Sequence, residues 1–208
     1  MNDKAKILER IRAESLIAIV RLQEQKSVQA AVDALIAGGI LVLEITTNTP
    51  GFSKEIEKAR ERHSEALIGA GTVTHVELAK KAMVVGAQFL VTPNIDKKVA
   101  EAGKANHIPV LMGAMTPTEV ADARAYGADI IKLFPAGNLG ISYFKSLKGP
   151  FDTVPFFAVG GIDEGNIQDW LEAGIDGVGL GSSLVKSDVR TDADFKQVTA
   201  LAKKFRKF

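Results

Sequence analysis

The 208 residues of this chain include no cysteine. Disulfides, thiolate nucleophiles and cysteine metal ligands are therefore excluded, and redox chemistry offers no reason to place the protein outside the cytoplasm. Histidine is scarce: His63, His75 and His107 stand far apart, with no pair at metal-ligand spacing. They read as surface or capping residues, so no metal centre and no Ser–His–Asp set is expected. An excess of charge of one sign is missing too. With 26 basic against 25 acidic residues the net charge is +1, which argues against a nucleic-acid or anionic-membrane partner. No run approaches the ~20 apolar residues of a membrane span. The opening "MNDKAKILERIRAE" is charged throughout and lacks the apolar centre of a signal peptide. Aromatic residues are few, and Trp170 and the scattered phenylalanines read as core. The first strongly apolar run ends "IAIVRLQEQ" with no glycine, so the dinucleotide fingerprint of a doubly wound sheet is absent.

What the chain does have is a repeated grammar. "LIAGGILVLEITT" (35–47), "VVGAQFLVTPN" (84–94), "RAYGADIIKLFPA" (124–136) and "LEAGIDGVGLGSS" (171–183) each run from a helix end through glycine into an apolar stretch. Glycine enters the left-handed C-cap of a helix without steric cost. Short continuous apolar runs suit parallel strands covered on both faces. Between them lie stretches with helical periodicity, such as 27–37, 76–84 and 117–126, the last opening on a Thr116 cap and Pro117. The pattern predicts strands at 16–21, 41–47, 67–73, 89–94, 109–114, 130–135, 156–161 and 177–182. A leading helix at 3–13, a sixth helical segment at 141–148 and a closing helix at 192–206 complete the set. Strict βα alternation over eight units predicts an α/β fold, a (β/α)₈ TIM barrel, as a single domain over 1–208 with an N-terminal leading helix.

In such a barrel the chemistry sits at the C-terminal ends of the strands. There "ADIIKLFPA" places Lys132 inside an apolar run, and an unpaired buried ammonium is costly. Lys132 lies five residues after Gly127, as Glu44 lies five after Gly39, on the sixth and second strands. Alternate strands share interior layers, so the two side chains are expected inside the barrel, at one height, from opposite sides. A buried ion pair without catalysis would also explain them. A desolvated lysine beside Phe134, however, becomes a free amine able to form a Schiff base with a ketone, with Glu44 as a proton shuttle. The glycine-rich turns "AVGGIDEGN" (158–166) and "GVGLGSS" (177–183), with Gly160–Gly161 and Gly181–Ser182 at the strand ends, offer bare backbone N–H groups to an anion such as phosphate.

"LEITTNTPG", "IGAGTV", "VTPN", "MTPTE", "IKLFPA", "VGGI" and "GLGSSLV", in this order over essentially the whole chain, resemble the KDPG/KHG aldolase family. Its members are class I aldolases of 2-keto-3-deoxy-6-phosphogluconate and 4-hydroxy-2-oxoglutarate. The resemblance implies a Schiff base on Lys132, acid/base work by Glu44, and a pyruvate carboxylate bound with the help of Thr72. It implies a pyruvyl pocket walled by Pro93 and Phe134, and a distal phosphate held by Gly160, Gly161 and Ser182. It also implies a cofactor-free, metal-independent cytoplasmic enzyme on a small phosphorylated keto acid, assembled as a homotrimer.

Two positions depart from the family pattern. Where some members carry an arginine in the second-strand loop, this chain has Asn48. Arg21, at the end of the first strand, is the candidate replacement for the carboxylate's counter-charge, or else orients Glu44. Phosphogluconate-cleaving members read "PTGG" where this chain reads "AVGG", so Val159 replaces a hydroxyl-bearing threonine. "VTPNI", "FAVGG" and "GLGS" together are more similar to the branch that cleaves the C4 epimer, 2-keto-3-deoxy-6-phosphogalactonate; neutral packing by Val159 beside a phosphogluconate site is the alternative. Two other functions fit the same barrel: a metal-independent phosphosugar isomerase or epimerase using Glu44 without an imine, and a non-catalytic phosphosugar-binding barrel.

Overall fold

Each expected apolar run forms a strand, and the strands close on themselves. In the computed structural model, which describes residues 3–208, β1 (Leu16–Val20), β2 (Val42–Thr46), β3 (Leu67–Gly71), β4 (Leu90–Val91), β5 (Val110–Ala114), β6 (Ile130–Leu133), β7 (Phe156–Val159) and β8 (Gly177–Leu180) pair in sequence order as a closed parallel barrel. Met1 and Asn2, the first two residues of the expected 1–208 domain, lie outside the described residues. Carried round all eight strands, the pairing returns to its starting strand displaced by eight residues, the shear of a (β/α)₈ barrel.

α1 (Asp3–Glu14) precedes the barrel. α2 (Val28–Ala37), α3 (Phe52–Arg62), α4 (Val76–Val84), α5 (Lys97–Ala105), α6 (Pro117–Tyr126), α7 (Ala136–Leu139), α8 (Ile141–Lys148), α9 (Ile167–Glu172) and α10 (Asp192–Phe205) follow the strands. The four repeat glycines, Gly39, Gly86, Gly127 and Gly174, all have φ between 85° and 98°, where a side chain would be strained. Thr116 and Glu119 form a capping box over Pro117 at the start of α6. None of the helices among the described residues is long and apolar enough to cross a membrane.

The strands are shorter than expected at their C-terminal ends. The run 89–94 yields only Leu90–Val91, and 156–161 stops at Val159. The strand ends give way to loops: Gly160 and Gly161 turn away at φ 86° and 75°. The Thr92 hydroxyl donates to the Asn94 carbonyl at 2.6 Å and accepts from the Gly113 N–H at 3.0 Å.

The core divides at the barrel wall. One cluster lies between strands and helices and contains Trp170, 2% exposed and 6.0 Å from Phe144 between ring centroids. The other fills the N-terminal half of the barrel with Ile17, Val42, Leu67, Phe89, Val91, Leu111, Ile130 and Phe157, and α1 closes that mouth with Ile11.

Candidate active site

Side chains alternate along a strand, so the inward set that includes Ile17, Val42 and Ile130 continues one pleat higher into Ile19, Glu44 and Lys132. The ladder confirms the height. Followed from Glu44 across β3, β4 and β5 to β6, it arrives four residues below Lys132, and half of the barrel's stagger makes up that difference. Glu44 (2% exposed) and Lys132 (4% exposed) thus face one another across the interior. Both border a small void of about 10 Å³, enclosed by Ile17, Ile19, Val91, Leu111, Phe157, Val159 and Gly179.

Burial dominates the electrostatics of both groups. It lowers the Lys132 pKa from the ordinary lysine value, opposed by the Glu44 charge and assisted by that of Arg21. It raises the Glu44 pKa, opposed by the charges of Lys132 and Arg21. Among the described residues no ion pair within 4 Å joins the two, and Glu44 Oε1 has no hydrogen-bond partner. Chemically, an uncommitted buried carboxylate can exchange a proton, and an amine pushed toward neutrality can act as a nucleophile.

Above them opens a cavity of about 850 Å³. Arg21, Thr72, Pro93, Lys132, Phe134, Val159, Gly160, Gly161, Gly181 and Ser182 all line it. Arg21 donates to the Thr72 hydroxyl at 3.1 Å. Thr72 holds a left-handed backbone at φ 56°, and the Thr47 hydroxyl donates to its carbonyl at 2.6 Å. Phe134 is 38% exposed, its ring centroid 5.2 Å from Lys132 Nζ. On the far side the two glycine loops are tied by a 2.8 Å hydrogen bond from the Ser183 hydroxyl to the Ile162 carbonyl. A side chain at Gly181 would project into open space, so this glycine leaves room for whatever the cavity holds.

The model of the KDPG and KHG aldolase family matches residues 7–201. The 2-dehydro-3-deoxy-6-phosphogalactonate aldolase of Escherichia coli K12 is 36% identical over 92% of this chain and 94% of its own. The 2-dehydro-3-deoxy-phosphogluconate aldolase of Treponema pallidum is 33% identical over 94% and 92%. A crystal structure of the KDPG aldolase from Legionella pneumophila, with pyruvate captured as a covalent carbinolamine intermediate, superposes with a TM-score of 0.87 at 29% identity, covering 98% of each chain. This chain belongs to the KDPG/KHG aldolase family.

Within this aldolase one expected site residue stands apart from the others. Glu44 does not line the large cavity; it lies below the floor, reached past Lys132, Ile19 and Val159. Asn48 is exposed and away from the cavity lining. Arg21 has the Thr72 hydroxyl as its partner and no carboxylate within 4 Å among the described residues, so it does not pair with Glu44 directly. Sequence reasoning missed Ile19, which lines both spaces, and Asp163, Glu164 and Ser183 in the distal loops. Ile19 was legible in principle, two residues before Arg21 on one strand face. Glu164 is engaged by Lys204, and Asp163 accepts the Gly165 N–H at 2.8 Å. Of the histidines, His63 meets Asp33 and Glu65, and His75 precedes α4. Among the described residues no three histidine, cysteine, aspartate or glutamate side chains converge as a metal site.

Proposed function

We propose that this chain, read as one domain over 1–208, is a class I aldolase that reversibly cleaves a 2-keto-3-deoxy-6-phospho sugar acid to pyruvate and D-glyceraldehyde 3-phosphate, and that also takes 4-hydroxy-2-oxoglutarate to pyruvate and glyoxylate. The reading rests above all on the facing Lys132 and Glu44, both buried, beneath a cavity whose far end is made of glycine loops. Lys132 Nζ attacks the C2 ketone, and loss of water leaves an iminium. Glu44 takes the C4 hydroxyl proton as the C3–C4 bond breaks and its electron pair flows into the iminium, giving an enamine. The aldehyde departs; protonation and hydrolysis of the enamine release pyruvate and restore the amine. Arg21 and Thr72 receive the carboxylate, Pro93 and Phe134 wall the pyruvyl end, and Gly160, Gly161, Gly181 and Ser182 hold the phosphate. The iminium is the electron sink, so no metal or organic cofactor enters the cycle. We read the working form as a cytoplasmic homotrimer.

On the C4 epimer we favour phosphogalactonate. Val159 is 7% exposed, borders both the cavity and the void, and presents only methyl groups where a threonine would offer a hydroxyl. Borohydride in the presence of pyruvate should fix one pyruvyl group on Lys132 and none in Lys132→Ala. An isomerase, epimerase or simple binding barrel gives no adduct. Pyruvate release from the two epimers should favour the galactonate in kcat/KM, and Val159→Thr should shift the ratio toward the gluconate by ~10-fold or more. An unmoved ratio makes Val159 a packing residue.

A further inference from the structure

The glycines that line the barrel interior differ in what their missing side chains make room for. A Cβ on Gly69 would lie 2.6 Å from the Phe89 ring, inside the apolar plug, and one on Gly113 would lie 2.3 Å from the Pro93 backbone. Those two serve packing. Gly71, the last residue of β3, is different: a Cβ there would meet Glu44 Oε1 at 2.3 Å, Cδ at 2.6 Å and Cγ at 3.0 Å. Its three nearest neighbours belong to one side chain. Its φ lies outside the left-handed region, so its backbone conformation is open to any residue. The geometry points to Gly71 as a positioning residue: the absent side chain forms the slot that holds the Glu44 carboxylate at its working position opposite Lys132.

A methyl group at 71 enters the space of the carboxylate. Glutamate is flexible and ends in the atoms that clash, so it swings aside by rotation about its own bonds while β3 and its pairing to Thr46 stay in place. The price falls on the proton transfer, not on the fold. Lys132 lies across the barrel from Gly71, so formation of the pyruvyl imine is retained.

The inference rests on Glu44 acting as the proton shuttle, and the experiment separates the two. Gly71→Ala, Glu44→Gln and the double variant are compared in kcat, in KM and in borohydride trapping of pyruvate. Gly71→Ala should lower kcat by ~10- to 100-fold, the scale of a misplacement of about 1 Å, with trapping and KM within about twofold of wild type. In the Glu44→Gln background, where no carboxylate remains to be displaced, the same methyl should cost less than about twofold. Equal losses in both backgrounds, or a Gly71→Ala enzyme with wild-type kcat or without trapping, overturn the inference alone. A Glu44→Gln enzyme with wild-type kcat overturns the proton-shuttle reading, and this inference with it.

Discussion

The two halves of the barrel interior are built from the same strands one pleat apart, and their contents are opposite. In the N-terminal half, Val42, Leu67, Phe89, Leu111, Ile130 and Phe157 pack into an apolar plug closed by Ile11. One inward position higher, Val42 gives way to Glu44, Ile130 to Lys132 and Leu111 to Gly113, β8 presents Gly179, and β3 reaches Gly71 two inward positions above Leu67. The lower half gives the site its dielectric. Without that plug beneath it Lys132 would be hydrated, and an amine hydrated like an ordinary lysine is protonated at neutral pH. Stability and reactivity are thus divided along each strand: the lower half holds the barrel together, and the upper half spends some of that stability on two buried ionisable groups.

Substitutions that cross this division should therefore have opposite signs. Phe89 is fully buried, and its ring lies against Gly69. Phe89→Ala should cost about 3–5 kcal/mol of unfolding free energy. Removing both charges above it, with Lys132→Met and Glu44→Leu together, should raise stability by about 1–4 kcal/mol while abolishing adduct formation. Urea denaturation at pH 7 measures both. A double variant less stable than wild type would mean that the facing pair contributes to the fold, and the contrast between the halves would fail. The gain should also depend on pH. Burial lowers the Lys132 pKa, so the wild-type protein loses stability as pH falls from the unfolded-lysine value through the lowered one. Glu44 has its pKa raised, so its contribution is present at low pH and lost as pH rises through the raised value. Between those limits both groups weigh on the fold, and there the double variant should gain most.

The same division explains how much could be read without coordinates. The eight strands were legible because buried parallel strands are continuous apolar runs and four of them follow a glycine. The mutual placement of Glu44 and Lys132 was legible from their equal distance to those glycines. Strand ends were not, because Gly160 and Gly161 turn away at positive φ and the Thr92 hydroxyl binds the Asn94 carbonyl and the Gly113 N–H, features that hydrophobicity does not encode. Nor was the depth of Glu44 below the cavity floor, which depends on the space left at Gly71. Leu201 and Phe205 of α10 reach the cavity lining through helix packing, which no strand-end reading could find.

Arg21 tests the boundary between the halves most finely. It is exposed, unlike Lys132 and Glu44, yet its charge acts on both, lowering each pKa. Removing it in Arg21→Leu should raise both, and the pH midpoint for pyruvate trapping, which follows the free amine, should move upward. Because the guanidinium sits in solvent the shift should be small, and it should shrink further as salt screens the wild-type interaction. Pyruvate binding should weaken separately, since Thr72 loses its 3.1 Å donor and the carboxylate loses a positive charge. A midpoint that stays in place while KM rises would confine Arg21 to the carboxylate. A midpoint that moves with KM unchanged would make it a tuner of the amine, and the pyruvate carboxylate would then depend on Thr72 and backbone donors.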